Sequence, residues 1–126
     1  FDLWAHLHDV CRAAFRPLPA IEGERLALMT QRLMGAMPVA MFLRGHDLPA
    51  ARVRFVLTGT AGRCHDVVLG PVGVDDEPAV TVVADAEDVC RVAARRMTVD
   101  QLDVVIEDDR GLGIALLQSL DAFARD

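Results

Sequence analysis

Arg52-Val53-Arg54-Phe55-Val56-Leu57, then Gly59-Thr60-Ala61-Gly62-Arg63, then Cys64-His65-Asp66-Val67-Val68-Leu69 is the stretch that decides the fold. Apolar residues alternate with polar ones at a period of 2 on both sides of a polar, glycine-bearing turn, which predicts an antiparallel hairpin. Downstream, Gly70 to Pro78 holds two glycines, two prolines and three acids and reads as a surface loop. Ala79-Val80-Thr81-Val82-Val83-Ala84 follows as a third strand, β-branched enough to be central in a sheet. Asp85 with Asp88 three residues on is a helix-capping signal, and the spacing of Val89, Val92, Ala93 and Arg96 predicts a helix closed by Met97-Thr98-Val99-Asp100. Leu102 to Glu107 is the fourth strand. Asp108 or Asp109 caps a last helix with the apolar face Leu112, Ala115, Leu116, Ser119, Leu120 and Phe123. The order β-β-β-α-β-α predicts an α+β two-layer sandwich with a mainly antiparallel four-stranded sheet.

Upstream of the hairpin the period is helical. Leu3, Leu7, Val10, Cys11 and Ala14 space a helix from Asp2 to about Phe15, stopped by Arg16-Pro17-Leu18-Pro19. A second helix is expected from about Glu22 to Leu43, with Leu26, Met29, Leu33 and Met37 on one face and with Pro38 kinking or splitting it. Gly45, Asp47 and Pro49 mark a linker, so residues 1–48 are expected to form a helical segment and residues 50–126 an α+β domain. The chain opens at Phe1 inside an amphipathic pattern, and a preceding segment is expected.

With 126 residues, 52% of them hydrophobic, the chain has material for one core. A net charge of -6 gives no general attraction for phosphate backbones, which argues against nucleic acid as a partner. All 13 Lys and Arg residues are Arg. Three cysteines, Cys11, Cys64 and Cys90, are odd in number and lack the Cys-x-x-Cys spacing, so neither a disulfide framework nor a zinc knuckle is indicated and a reducing cytoplasm is expected. No run of apolar residues approaches the roughly 18 needed to cross a bilayer, and no membrane partner is expected.

One cluster carries ligand chemistry: Asp2-Leu3-Trp4-Ala5-His6-Leu7-His8-Asp9. On a helix Asp2 and His6 share a face, where a carboxylate oxygen and an imidazole nitrogen can meet one divalent ion. His8 lies about 200° around the helix from His6 and cannot join them. A third protein ligand is required, and neither His46, in the linker, nor His65, in a strand, supplies it at a matched spacing. The plainer reading is a helix with Asp in its first turn, where the dipole favours it, and histidines on its surface. Trp4 reads as a core anchor and Cys11 as a small buried hydrophobe.

Asp2-Leu3-Trp4-Ala5-His6, continued by Asp9-Val10 and Arg12-Ala13-Ala14-Phe15-Arg16-Pro17, resembles the last helix of the DinB-like bundle in mycothiol-dependent maleylpyruvate isomerase-like proteins. The resemblance extends through Val53 to Leu57, Gly70-Pro71, Ala84-Asp85, Arg95-Arg96 and Val104 to Asp108 to that family's C-terminal, sterol-carrier-like domain. It implies that Asp2 and His6 are two of three ligands to a divalent metal, usually zinc, the third being a His of an earlier helix. It also implies mycothiol as thiol cosubstrate, activated as a thiolate for attack on an unsaturated or electrophilic small molecule, in isomerisation or transfer. Arg95 and Arg96 are the candidates for a substrate or thiol cleft, although an arginine pair closing a helix more often serves its dipole and a solvated surface. Two residues depart from the family pattern: Asp2 stands where Glu is usual, and Glu107 where Gly commonly precedes the acid of the last strand.

Two other functions are compatible with the same residues. A stand-alone module would hold a small apolar or acyl ligand, with Met34, Met37 and Met41 as an adaptable lining. Exposed apolar faces of the helical segment would make a homodimer.

Overall fold

The computed structural model describes Ala5, Asp9, residues 23–72 and residues 77–124. The elements run α1 (Gly23–Leu43), β1 (Arg52–Thr58), β2 (Arg63–Val68), β3 (Val80–Asp85), α2 (Ala86–Ala93), a short 3-10 turn (Val99–Gln101), β4 (Val104–Asp108) and α3 (Arg110–Ser119). The fold is α+β: one long helix, then a four-stranded mixed sheet with two further helices packed on it. The helix expected over Asp2 to Phe15 lies outside the described residues except at Ala5 and Asp9, which are both helical.

The hairpin forms as the alternation requires, pairing Arg52 with Val68 through Leu57 with Arg63, and Gly59 takes the left-handed conformation (φ 80°) at the turn. Strand order in the sheet is β2-β1-β3-β4. β3 lies parallel to β1, Val53 beside Val80 and Leu57 beside Ala84, so the expectation of a mainly antiparallel sheet holds for the two outer pairings but not for the central one. A parallel neighbour demands that the chain cross β1 between β2 and β3. Both ends of that crossing are pinned to the start of β1: the Leu69 N–H donates to the Ala51 carbonyl (3.0 Å) and the Ala79 N–H to the Arg52 carbonyl (2.8 Å).

One face of the sheet carries the core. Val53, Phe55, Val80 and Val82 are wholly buried, and the helices cover them with Leu26, Met37, Met41, Val89, Leu116 and Leu120. The other face is mixed: Arg54 pairs with Asp66 (3.0 Å) beside Thr81 and Glu107, and Val68 and Val105 on the same face are about half exposed. Of the methionines expected to line a ligand site, Met37 and Met41 are core residues, at most 1% exposed, while Met34, also largely buried, borders a cavity beside β2.

Pro38 neither splits nor ends α1. A proline inside a helix costs about 3 kcal/mol, but Met34, Met37, Ala40 and Met41 are buried on either side of it. Burying a side chain of methionine size contributes roughly 1.5–3 kcal/mol, so packing outweighs the break. At 21 residues α1 is also long and apolar enough to span a bilayer, a point at which the count of uninterrupted apolar residues was too strict. Phe123, expected in the apolar face of α3, is 49% exposed because the helix ends at Ser119; Leu117, omitted from that face, is buried in its place.

Asp85 caps α2 by accepting the Asp88 N–H (3.0 Å), and Asp109 caps α3 by accepting the Leu112 N–H (3.0 Å). Gly113 lets α3 sit down on the sheet: a Cβ there would stand 2.6 Å from Ile106 Cγ2 and 3.3 Å from Val80 Cγ2. Gly113→Ala should therefore destabilise the fold by about 1–3 kcal/mol despite the better helix propensity of Ala. Urea unfolding of the two proteins checks this; an equal or higher midpoint for the variant would contradict the close approach.

Candidate functional site

Three helix C-termini converge on one carboxylate. Arg44, just past α1, donates to Asp121 Oδ1 (2.6 Å), and Arg95, just past α2, donates through Nε to Asp121 Oδ2 (3.2 Å). Asp121 itself lies just past α3. Each helix end carries roughly half a negative charge, so the two guanidinium groups offset the helix ends as well as Asp121.

The turn that follows α2 has unusual backbone chemistry. The Arg96 N–H bonds the Arg91 carbonyl (2.8 Å) and the Arg95 N–H bonds the Val92 carbonyl (3.0 Å), which is the Schellman pattern. Its left-handed residue, usually Gly, is here Arg95 at φ 59°. A left-handed non-glycine residue costs roughly 1–2 kcal/mol. Beside this turn is a cavity of about 310 Å³, walled by Val92, Met97, Val99 and Leu117, with Arg95 and Asp121 as its charged lining.

Arg96 has a different role from its neighbour. It donates from Nε to Asp9 Oδ1 (2.5 Å) and from Nη2 to Asp9 Oδ2 (2.7 Å), a two-pronged guanidinium–carboxylate contact. Its Nη1 donates to the Ala94 carbonyl (2.7 Å). The two arginines singled out together in the sequence therefore separate: Arg95 lines the cavity, and Arg96 binds the acid three residues after His6. Asp2 and His6 lie outside the described residues. Among the described residues no group of three His, Cys, Asp or Glu side chains is placed to hold a metal ion.

A second cavity of about 380 Å³ lies between α1 and the edge strand β2, lined by Met34, Gly35, Pro38 and residues 64–68. His65 is there, with Nε2 buried and without a hydrogen-bond partner. Burial, with a smaller contribution from the charge of Arg63, holds the His65 imidazole below the usual histidine range. Cys90 is buried against the sheet, and burial foremost pushes its thiol up to about 12, which makes it inert as a nucleophile at neutral pH. Cys64 is exposed.

Sequence reasoning missed Arg44 and Asp121. Both sit just past helix ends, and ion pairs between residues so far apart leave no local pattern. No protein-family model matches the chain, and no curated protein or solved structure is significantly similar to it.

Two outcomes follow for this region. Arg95→Gly relieves the left-handed backbone at the expense of an exposed ion pair worth less than about 1 kcal/mol, so the variant should be more stable by roughly 0.5–1 kcal/mol, while Arg95→Ala should not be. Denaturant titration distinguishes them, and a destabilised Arg95→Gly would show that the side-chain contacts dominate. For His65, the unfolded chain takes up its proton near pH 6.5 and the folded chain only at lower pH. Stability is therefore full above about 6.5 and falls as the pH drops from there toward the folded value. Thermal melts between neutral pH and pH 5 should show a slope that His65→Gln reduces; an unchanged slope would contradict the burial.

Proposed function

We propose that the chain is the C-terminal portion of a metal-dependent, mycothiol-dependent isomerase or thiol S-transferase, working in a reducing cytoplasm on a small electrophilic or unsaturated molecule. The reading rests on the resemblance of Asp2 to Pro17 to the last helix of a DinB-like bundle and on one contact, the two-pronged hold of Arg96 on Asp9. That contact fastens the motif-bearing segment to the turn whose neighbouring residues, Arg95 and Met97, line the 310 Å³ cavity.

In this reading Asp2 and His6 are ligands of a divalent metal, zinc by preference. One carboxylate and one imidazole suit zinc, but they are two donors where three are needed, so the third comes from outside these two residues. Such a metal supplies a thiol held as thiolate at neutral pH. The protein's own contribution is positional. Arg96 fixes the segment through Asp9; Val92, Val99 and Leu117 keep water from one side of the cavity; and Arg95 presents a permanent positive charge to an acidic group of thiol or substrate.

A second reading, a binding module without catalysis, draws on the same cavity, which is apolar at Val92, Met97, Val99 and Leu117. Cobalt(II) and mycothiol added to the protein separate the two. The enzyme reading expects a thiolate-to-cobalt charge-transfer absorption, with cobalt binding weakened at least about tenfold by Asp2→Ala or His6→Ala, the loss that even an outer partner of a metal ligand causes, and unchanged by His46→Ala. Absorption that is absent, or indifferent to residues 2 and 6, would overturn it.

A further inference from the structure

β2 is an edge strand, and the cavity of about 380 Å³ separates it from Met34, Gly35 and Pro38 of α1. The hydrogen-bond ladder decides which backbone groups of β2 face outward. The Leu69 N–H donates to the Ala51 carbonyl, and the Arg52 carbonyl is turned the other way, to Ala79. In the antiparallel register, Val53 with Val67, Phe55 with His65 and Leu57 with Arg63 are therefore the pairs that exchange bonds. The alternate residues Cys64, Asp66 and Val68 point both N–H and C=O away from β1, at a repeat of about 6.8 Å. Among the described residues no strand takes them up. Two further polar groups are left open beside them. His65, opposite wholly buried Phe55, stands on the core face and holds a buried Nε2 without a hydrogen-bond partner. Pro38 has no N–H to give to the Met34 carbonyl one turn earlier in α1. Buried polar groups are rarely left unpaired, and these two border one cavity.

We infer that the free edge of β2 takes up an extended segment of another protein as a fifth strand, with a tyrosine of that segment seated under α1 against His65. An extended main chain offers donors and acceptors at the repeat of residues 64, 66 and 68, which a small molecule does not. Every second side chain of such a strand faces the core side and enters the cavity. Gly35 leaves it room, since nothing stands within 4 Å of where a Cβ would be. A hydroxyl both gives and accepts a hydrogen bond, so it satisfies the neutral His65 imidazole in either tautomer. The ring of a tyrosine fills the space beside Met34 and Val67 that a serine would leave empty. This sequence contains no Tyr, so a second copy of it does not supply the side chain. The other edge of the sheet is guarded: β4 has five residues and carries exposed Glu107 and Asp108, with Asp109 next, the charges that keep an edge from pairing. β2 has no such guard of one sign, pairs without a bulge and contains no proline. The inference is independent of the metal and thiol reading.

The probe is the blocked peptide acetyl-Gln-Thr-Val-Tyr-Val-Thr-Gln-amide, titrated into the full chain while amide and imidazole signals are followed by NMR. Saturable shifts should centre on residues 64–68 and the His65 ring, and the amides of Cys64, Asp66 and Val68 should gain protection from exchange. Replacing the peptide's tyrosine by phenylalanine should weaken binding about fivefold, the worth of one hydrogen bond. In the His65→Phe protein the two peptides should bind alike. Methylating the nitrogen of a valine beside the tyrosine, whose N–H faces β2, should abolish binding; methylating that of the tyrosine, whose N–H faces away, should not. Gly35→Leu, which fills the cavity, should weaken the tyrosine peptide most. No saturation by about 1 mM peptide, or binding indifferent to which nitrogen is methylated, would overturn the proposal. So would para-cresol that binds as tightly as the peptide, which would make the cavity a small-molecule site, or protection of the same amides by self-association of the free protein.

Discussion

The parallel pairing of β1 with β3 is the constraint on which the architecture depends. Hairpin geometry alone would have laid β3 against β2 and continued a meander. Instead β3 takes the inner edge of β1, and the two strands together supply Val53, Phe55, Val80 and Val82 to a single buried face. β2 and β4 are left as edges, and all three helices go to the same side of the sheet. The pleat enforces this division: a slip of one residue of β3 against β1 would turn Val80 and Val82 away from the core face that Val53 and Phe55 share. Burial of the two strands is thus the term that selects the topology.

Stacking three helices on one face has an electrostatic consequence. Their C-terminal ends meet, and so many partial negative charges in one place call for cations. Arg44 and Arg95 supply them, and Asp121 holds the two guanidinium groups together without cancelling both. The left-handed backbone of Arg95 belongs to the same balance. A glycine would cap α2 at lower conformational cost, so a sequence selected for stability alone has little reason to keep an arginine there. Its side chain lines the cavity and pairs with Asp121. Arg96, one residue on, turns to Asp9 and joins the opening segment to this turn.

Local chemistry made much of this legible in the amino-acid sequence. The period of 2 in Arg52 to Leu69, the caps at Asp85 and Asp109, and the helical spacing around Val89 and Leu116 all found their elements, because each signal is contained within a few residues. Strand pairing is not: Ala79 to Ala84 reads as central, but nothing in it distinguishes β1 from β2 as its neighbour. Pro38 allowed a split in α1 that does not occur, for the opposite reason. Its local penalty is real, and only the burial of Met34, Met37 and Met41 around it, a tertiary fact, outweighs it. Of the site, the arginine pair was visible at residues 95 and 96, whereas their division of labour depends on Asp121 and Asp9, far away along the chain. Asp2 and His6 rest on motif and spacing alone.

The central claim is that the motif at the start of the chain and the cavity beside Arg95 serve one site. Paramagnetic relaxation tests it most directly: cobalt(II) or manganese(II) is added to the protein, and the methyl signals of Met97, Val99 and Leu117 are followed by NMR. Selective broadening or shifting of those signals, abolished by His6→Ala and diminished by Arg96→Ala, is the result the account predicts. Metal that leaves the cavity methyls untouched while perturbing others, or that acts identically on the His6→Ala protein, would contradict it.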